Sequence, residues 1–177
     1  TENHLSHNYH FKKAGFNKYK FYNIDISNKN NLDSIFEVIN PDLVFHLAAE
    51  SHVDRSIESP KSFIDSNIVG TYNMLENSLS HFDKLVGKRK DYFRFQHIST
   101  DEVYGELGTF GTFNEDSNYS PRSPYSASKA ASDHLVSAWF HTYGLPTLIS
   151  NCSNNFGPRQ FPDKLIPNIV LNAINGS

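Results

Sequence analysis

Two spacings of apolar residues alternate along this 177-residue chain. Residues 19–24 alternate and are rich in aromatics, which predicts a strand ending at Asp25. Ser27 then stands where a helix can be capped, and Leu32, Ile35, Phe36 and Ile39 recur at helical spacing until Pro41 breaks the pattern. Residues 43–49 are continuously apolar around His46, the mark of a strand buried on both faces. Helical spacing returns from 60 to 82 through Phe63, Ile64, Ile68, Tyr72, Leu75 and Leu79. The aromatic run Tyr92-Phe93-Arg94-Phe95-Gln96 leads a strand toward Thr100. A loop containing Gly, Pro and Ser spans 105–123, and a helix over 125–143 stops at Gly144. A short strand over 145–150 and a last helix over 163–175 close the series, while the polar, aperiodic residues 1–18 read as a loop. Strands alternating with helices predict one α/β unit, a parallel sheet with helices on both faces.

The pattern breaks at His97-Ile98-Ser99-Thr100-Asp101-Glu102-Val103-Tyr104-Gly105, where a hydroxyl and two carboxylates follow an apolar strand. Ionisable groups crowded at the end of a buried strand are costly to place unless something uses them. In parallel sheets the carboxyl ends of the strands are where ligands bind. The stretch is equally compatible with an acidic turn, since Asp and Gly are ordinary turn residues.

Composition narrows the class without choosing the chemistry. Hydrophobic content of 38%, charged content of 20% and a net charge of −3 describe an ordinary globular domain, with no surplus of positive charge to attract nucleic acid or an anionic membrane. No apolar run reaches the roughly 20 residues of a membrane span, and no signal peptide is visible. Cys152 is the only cysteine, which excludes an internal disulfide framework and suits a reducing, cytoplasmic setting. His46 and His52 have no clustered third ligand for a metal, and structural or supporting roles are expected of both.

Tyr125-Ser126-Ala127-Ser128-Lys129 places a phenol and an amine one helical turn apart on one face. An ammonium about 4 Å from a phenol, at an effective dielectric near 20, is worth about 4 kcal/mol, or roughly three pKa units. That predicts a tyrosine brought from about 10 toward about 7, where acid/base catalysis works best. Alone, the pair is also what any helix start holding both residues would look like.

With these segments in order, the chain resembles the extended short-chain dehydrogenase/reductase family, and within it the nucleotide-sugar 4,6-dehydratases, above all those acting on dTDP-glucose. The resemblance rests on His46-Leu47-Ala48-Ala49-Glu50-Ser51-His52-Val53-Asp54-Arg55-Ser56, Thr100-Asp101-Glu102, Ser123-Pro124-Tyr125-Ser126-Ala127-Ser128-Lys129, and Ser153-Asn154-Asn155-Phe156-Gly157-Pro158 running on to Lys164-Leu165-Ile166-Pro167. It implies a Rossmann-like doubly wound sheet forming an NAD-binding domain over 1–177. Related 4-epimerases share the tyrosine and lysine but usually lack the carboxylate pair, and a non-catalytic relative would typically have lost one of them.

The resemblance also implies roles. Tyr125, supported by Lys129, would take the sugar O4 proton while the C4 hydride passes to tightly held NAD, with Thr100 sharing a hydrogen bond to that oxygen. Glu102 would remove the C5 proton, and Asp101 would protonate the departing C6 hydroxyl before the hydride returns to C6. That scheme needs neighbouring carboxyls in opposite protonation states. Asp25 and Ile26 would meet the adenine end of NAD, and Leu47, Ala48, Ala49 and Ser66 would line its cleft. Ser51 would touch both cofactor and sugar, Asn155 the cofactor, Asn154 the substrate, and Lys164 and Leu165 its nucleotide portion. Singly, most of these have blander readings, such as a buried strand or a turn. Homodimers pairing through helices 60–82 and 125–143 are a further implication.

The departures are as informative. Family members open with a strand and a Gly-rich loop that delivers the pyrophosphate to a helix N-terminus, and this chain contains no G-x-x-G-x-x-G. It begins at Thr1 and stops at Ser177, which implies a domain lacking both ends of the family's length. In the family's strand order the missing first strand lies beside residues 43–49. An apolar sheet edge and weak NAD binding are therefore expected of the 177 residues alone.

Overall fold

The computed structural model describes residues 19–162 and 164–176, so the loop expected over 1–18 lies outside it. Three parallel strands, β1 (Leu43–His46), β2 (Arg94–Thr100) and β3 (Thr147–Cys152), form one sheet in that order. Helix α1 (Lys29–Ile39) precedes β1, and α2 (Val53–Glu58) and α3 (Pro60–Phe63) follow it. A π-helical segment, Ile64–Val69, joins α3 to α4 (Gly70–Lys84). After the short α5 (Gly87–Tyr92) and β2 come α6 (Pro124–Tyr143), β3 and α7 (Leu165–Asn175).

Local chemistry explains the strongest boundaries. Ser123 accepts the Ser126 amide and the Ser126 hydroxyl answers the Ser123 amide, a reciprocal cap with Pro124 in the first turn. Gly144, at φ 70°, ends the same helix in the left-handed conformation that glycine adopts freely.

The sheet is not two-sided among the described residues. Register places Val44 beside Phe95 and His46 beside His97, and these four are buried. Val44 and Phe95 pack with Leu75 of α4 and Val136 and Trp139 of α6 into the main core. The alternate positions face the other way, and Phe45 remains 65% and Leu148 51% exposed. The parallel α/β architecture is as expected, and among the described residues helices cover one face of the sheet, so β1 is buried on that face alone.

Other boundaries differ for stated reasons. Residues 19–24 form no sheet strand, because no described segment lies beside them to pair with. Asn28, not Ser27, caps α1, accepting the Asn31 amide at 3.3 Å. β1 ends at His46, three residues before Ala49. The strand expected over 145–150 starts at Thr147, since Leu145 is drawn into the core and Pro146 offers only its carbonyl, to Phe95 N at 2.9 Å. The helices α2 and α5 were not foreseen, and Tyr92 belongs to α5 instead of β2.

Candidate active site

Parallel pairing aligns three polar strand ends. His97 pairs with both His46 and Ile149, and Thr100 with Cys152, so residues 47–51, 100–102 and 152–155 leave the sheet at one edge. The Thr100 hydroxyl caps the 3₁₀ turn Asp101–Tyr104 by accepting the Glu102 amide at 3.3 Å. That turn holds both carboxylates half-buried beside the sheet end, while Val103 and Tyr104 anchor it from beneath. A cleft next to Asp101 is lined also by Tyr104, Leu107, Phe113, Asn151 and Ser153.

Burial first, and then the charge of Asp101, push the Glu102 carboxyl above its ordinary value, while Lys164 pulls it down. The Lys164 charge thus acts on the carboxylate pair. Helix α6 supplies the other half of the site. Tyr125 and Lys129 are both buried, and the Tyr125 ring meets Phe63 edge-on at 6.3 Å. Burial raises the Tyr125 hydroxyl above the usual phenol value, a hydrogen bond from Thr100 opposes the rise, and the Glu102 charge adds to it. The phenol near 7 expected from the Tyr-Lys spacing is not what the structure shows. The Lys129 ammonium turns to the strand instead, donating to the Ile98 carbonyl at 2.8 Å and facing His97 Nε2 at 3.3 Å. Burial pushes its pKa down to about 8.

At the β1 end, Leu47 is 65% exposed, and Ala48, Ala49 and Ser51 follow it around the edge. This loop is tied down by Asn67, which sequence reasoning missed. Its side chain accepts the Glu50 amide at 2.8 Å and donates to the Glu50 carbonyl at 3.0 Å and to Ser128 Oγ at 2.8 Å. Asn67 and Ser66 lie in the π segment, a local widening of the helix that often marks functional sites. Asp25 and Ile26 form a turn docked on α4. Asn73 donates to the Ile26 and Ser27 carbonyls at 3.0 Å, and Gly70 leaves room for Ile26, whose Cδ1 would lie 2.6 Å from an added Cβ. The Ser27 amide and then its hydroxyl hold the Asp25 carboxyl below its usual value.

Asn154 and Asn155 are exposed beyond β3, with Asn155 donating to the Ser153 carbonyl at 3.2 Å. Lys164 caps α7, and Leu165 is its largely exposed first residue. Among the described residues no three His, Cys, Asp or Glu side chains are grouped to hold a metal ion, and no helix is long and apolar enough to cross a membrane. The residues present suit a dinucleotide at both its ends: an exposed carboxylate fixed by backbone at the 25–27 turn, and an apolar loop that leaves the sheet at the same strand ends as the carboxylate pair.

Known proteins share this arrangement. The chain is 56% identical over 160 residues to dTDP-glucose 4,6-dehydratase of Neisseria meningitidis serogroup B, covering 90% of this chain and 45% of that protein. It is 54% identical over 169 residues to dTDP-glucose 4,6-dehydratase of Salmonella typhimurium. The chain thus spans about half the length of the curated relatives it matches. Among solved structures, dTDP-glucose 4,6-dehydratase from Streptomyces venezuelae with NAD bound superposes with a TM-score of 0.78 at 40% identity, over 89% of this chain and 45% of that one. UDP-glucose 4-epimerase from Thermus thermophilus in complex with NAD reaches 0.77 at 28% identity, over 89% of this chain and 48% of that one, so the fold is common to both. A family model described as GDP-mannose 4,6 dehydratase matches residues 1–177, and the chain belongs to that family.

Proposed function

We propose that the complete protein is a cytoplasmic dTDP-glucose 4,6-dehydratase that uses tightly held NAD, and that residues 1–177 are part of its NAD-binding domain. The observation that carries this reading is Thr100-Asp101-Glu102 at the β2 end, two carboxyls of unequal surroundings beside the buried Tyr125. The identity to dTDP-glucose 4,6-dehydratases supports the choice of nucleotide.

NAD, when bound, would supply the hydride acceptor for C4 and the hydride donor for C6. Asp25, Ile26, Leu47, Ala48, Ala49, Ser51, Ser66, Asn155 and the Tyr125–Lys129 face would hold it. Asn154, Lys164 and Leu165 would hold the nucleotide sugar. Tyr125, once deprotonated, would take the O4 proton, with Thr100 sharing a hydrogen bond to the same oxygen. Glu102, made more basic by burial, takes the C5 proton that oxidation at C4 has acidified. Asp101, one residue away, gives the proton with which the C6 hydroxyl leaves as water.

Apolar side chains left exposed on α4 and α6, including Tyr72, Phe140 and Tyr143, support pairing of two copies through these helices. The test is to incubate the complete protein with dTDP-glucose and follow the alkaline absorbance of a 4-keto-6-deoxy product. An interconversion of C4 epimers with no keto product would make it an epimerase and overturn the reading. Faster turnover of the UDP sugar would overturn the nucleotide alone.

A further inference from the structure

The strand-facing side of α6 carries more than the Tyr125–Lys129 pair. Asp133 lies one further turn along, so Tyr125, Lys129 and Asp133 repeat at helical spacing on one face. Asp133 is 2% exposed, and three donors converge on its Oδ2: Ser99 Oγ at 2.7 Å, the Tyr119 hydroxyl at 3.0 Å and Asn151 Nδ2 at 3.4 Å. Its other oxygen, Oδ1, faces His97 Nε2 at 3.3 Å. The same nitrogen stands 3.3 Å from Lys129 Nζ, and the whole imidazole is buried. One ring nitrogen thus sits between a buried amine and a buried carboxylate. Neither the opposite nitrogen, Nδ1, nor Asp133 Oδ1 has a hydrogen-bond partner among the described residues, so His97 Nε2 and Asp133 meet as a close charge contact and not as a hydrogen bond.

A buried ammonium is costly without a counter-charge. For Lys129 the supply of partners is short. The groups that act on it are Asp133 on its own helix, His97 on β2, His46 on β1 and Cys152 on β3. His46 cannot help: burial holds its pKa down to about 3, and it is spent on Thr71 Oγ1 at 2.8 Å with its ring against His97. Asp133 is the carboxylate that opposes the cost of burying Lys129.

Resting on the dehydratase reading for its catalytic meaning, we propose that His97 and Asp133 are positioning residues for Lys129. Lys129 and His97 share one proton, balanced by the Asp133 carboxylate. When the proton moves, the N–H bond at Nζ breaks as one at Nε2 forms, and the net charge of the triad does not change. The positive charge is thereby kept within a fully buried layer between β2 and the α6 face that also carries Tyr125.

The sign of the test follows. Without the Asp133 charge the shared proton is held less strongly and is lost at lower pH. The measurement uses the complete protein with carbon-13 in the lysine ε-methylene, the Lys129 resonance being identified by its loss in Lys129→Met. In Asp133→Asn the titration midpoint of Lys129 should fall by about one pH unit, and the alkaline limb of kcat/KM should move with it, a loss of about tenfold at pH above the new midpoint and little below it. An unmoved midpoint, with only stability or overall rate reduced, overturns the relay and leaves Asp133 a structural residue. Should Asp133→Asn not fold, His97→Leu, which fills the space and breaks the link, must show the same fall or the proposal fails. The two readings part cleanly: a moved midpoint in a protein that makes no keto sugar supports the relay and rejects the dehydratase, and a fixed midpoint in an active dehydratase does the reverse.

Discussion

Glu102 sits between opposed influences, and their balance sets a pH dependence. Burial and the Asp101 charge raise its carboxyl, and Lys164 lowers it. A base works only when deprotonated, so activity fails as pH falls through this raised value. The acid limb of kcat/KM should accordingly lie above the ordinary carboxylate range, and Lys164→Met should move it to still higher pH. An acid limb that stays in place on that substitution rules out Glu102 as the group observed. The partner carboxyl is tested by a different step. Asp101→Asn removes the proton for the leaving hydroxyl but not the first hydride transfer, so dehydration should fall by about 10²–10⁴-fold while reduced cofactor accumulates in a single turnover. A variant that releases water at the wild-type rate contradicts the assignment. These residues could be read from sequence because they are adjacent and because polar groups at a strand end are conspicuous. The direction in which Lys129 points could not, since Ile98 and His97 lie more than thirty positions away and only folding brings them to it.

At the scale of elements, the site depends on two fastenings. The 3₁₀ turn bearing the carboxylates ends at Gly105, at φ 89° and ψ −141°, where an added Cβ would lie 2.4 Å from the Ser120 carbonyl oxygen. Both the backbone conformation and the close approach demand glycine. Gly105→Ala should cost at least about 3 kcal/mol in denaturant unfolding and disable turnover even where the fold survives. The second fastening is Asn67. Truncating it to Ala leaves the Glu50 backbone and Ser128 without their buried partner, a cost of about 3 kcal/mol, with cofactor retention falling alongside stability. A change under 1 kcal/mol, about that of an exposed position, would show that the tether matters little. Helix α6 was legible end to end because its cap residues, proline and terminal glycine act locally. The π segment and its asparagine were not, because apolar spacing reads straight through a one-residue widening. The strand expected over 19–24 differs for the complementary reason: alternation shows that a segment can pair, whereas a sheet needs a second strand beside it, and none of the three described strands pairs with this segment.

For the molecule as a whole, the decisive feature is the sheet face that the described residues leave uncovered. Phe45 and Leu148 lie on it with Leu43, and Leu47 follows at the strand end, each more than half exposed. Helix α7 adds Leu165, Ile169 and Ile174, also more than half exposed. Single exposed apolar residues are ordinary, but a contiguous set over a sheet face and its edge promotes association. The span 1–177 expressed by itself should therefore self-associate at micromolar concentration, bind a hydrophobic dye strongly and retain little NAD, having no Gly-rich loop in its sequence to receive the pyrophosphate. Phe45→Lys with Leu148→Lys places two charges on that face without touching the core of Val44, Phe95 and Leu75. Light scattering should then show a more monomeric protein, and circular dichroism an unchanged helix content. Equal association of the parent span and the double variant would locate the sticky surface elsewhere, on α7 or on the outer faces of α4 and α6. Full NAD-dependent turnover by 1–177 alone would overturn the larger view that this unit presents the acid/base edge and depends on further chain to hold the cofactor against it.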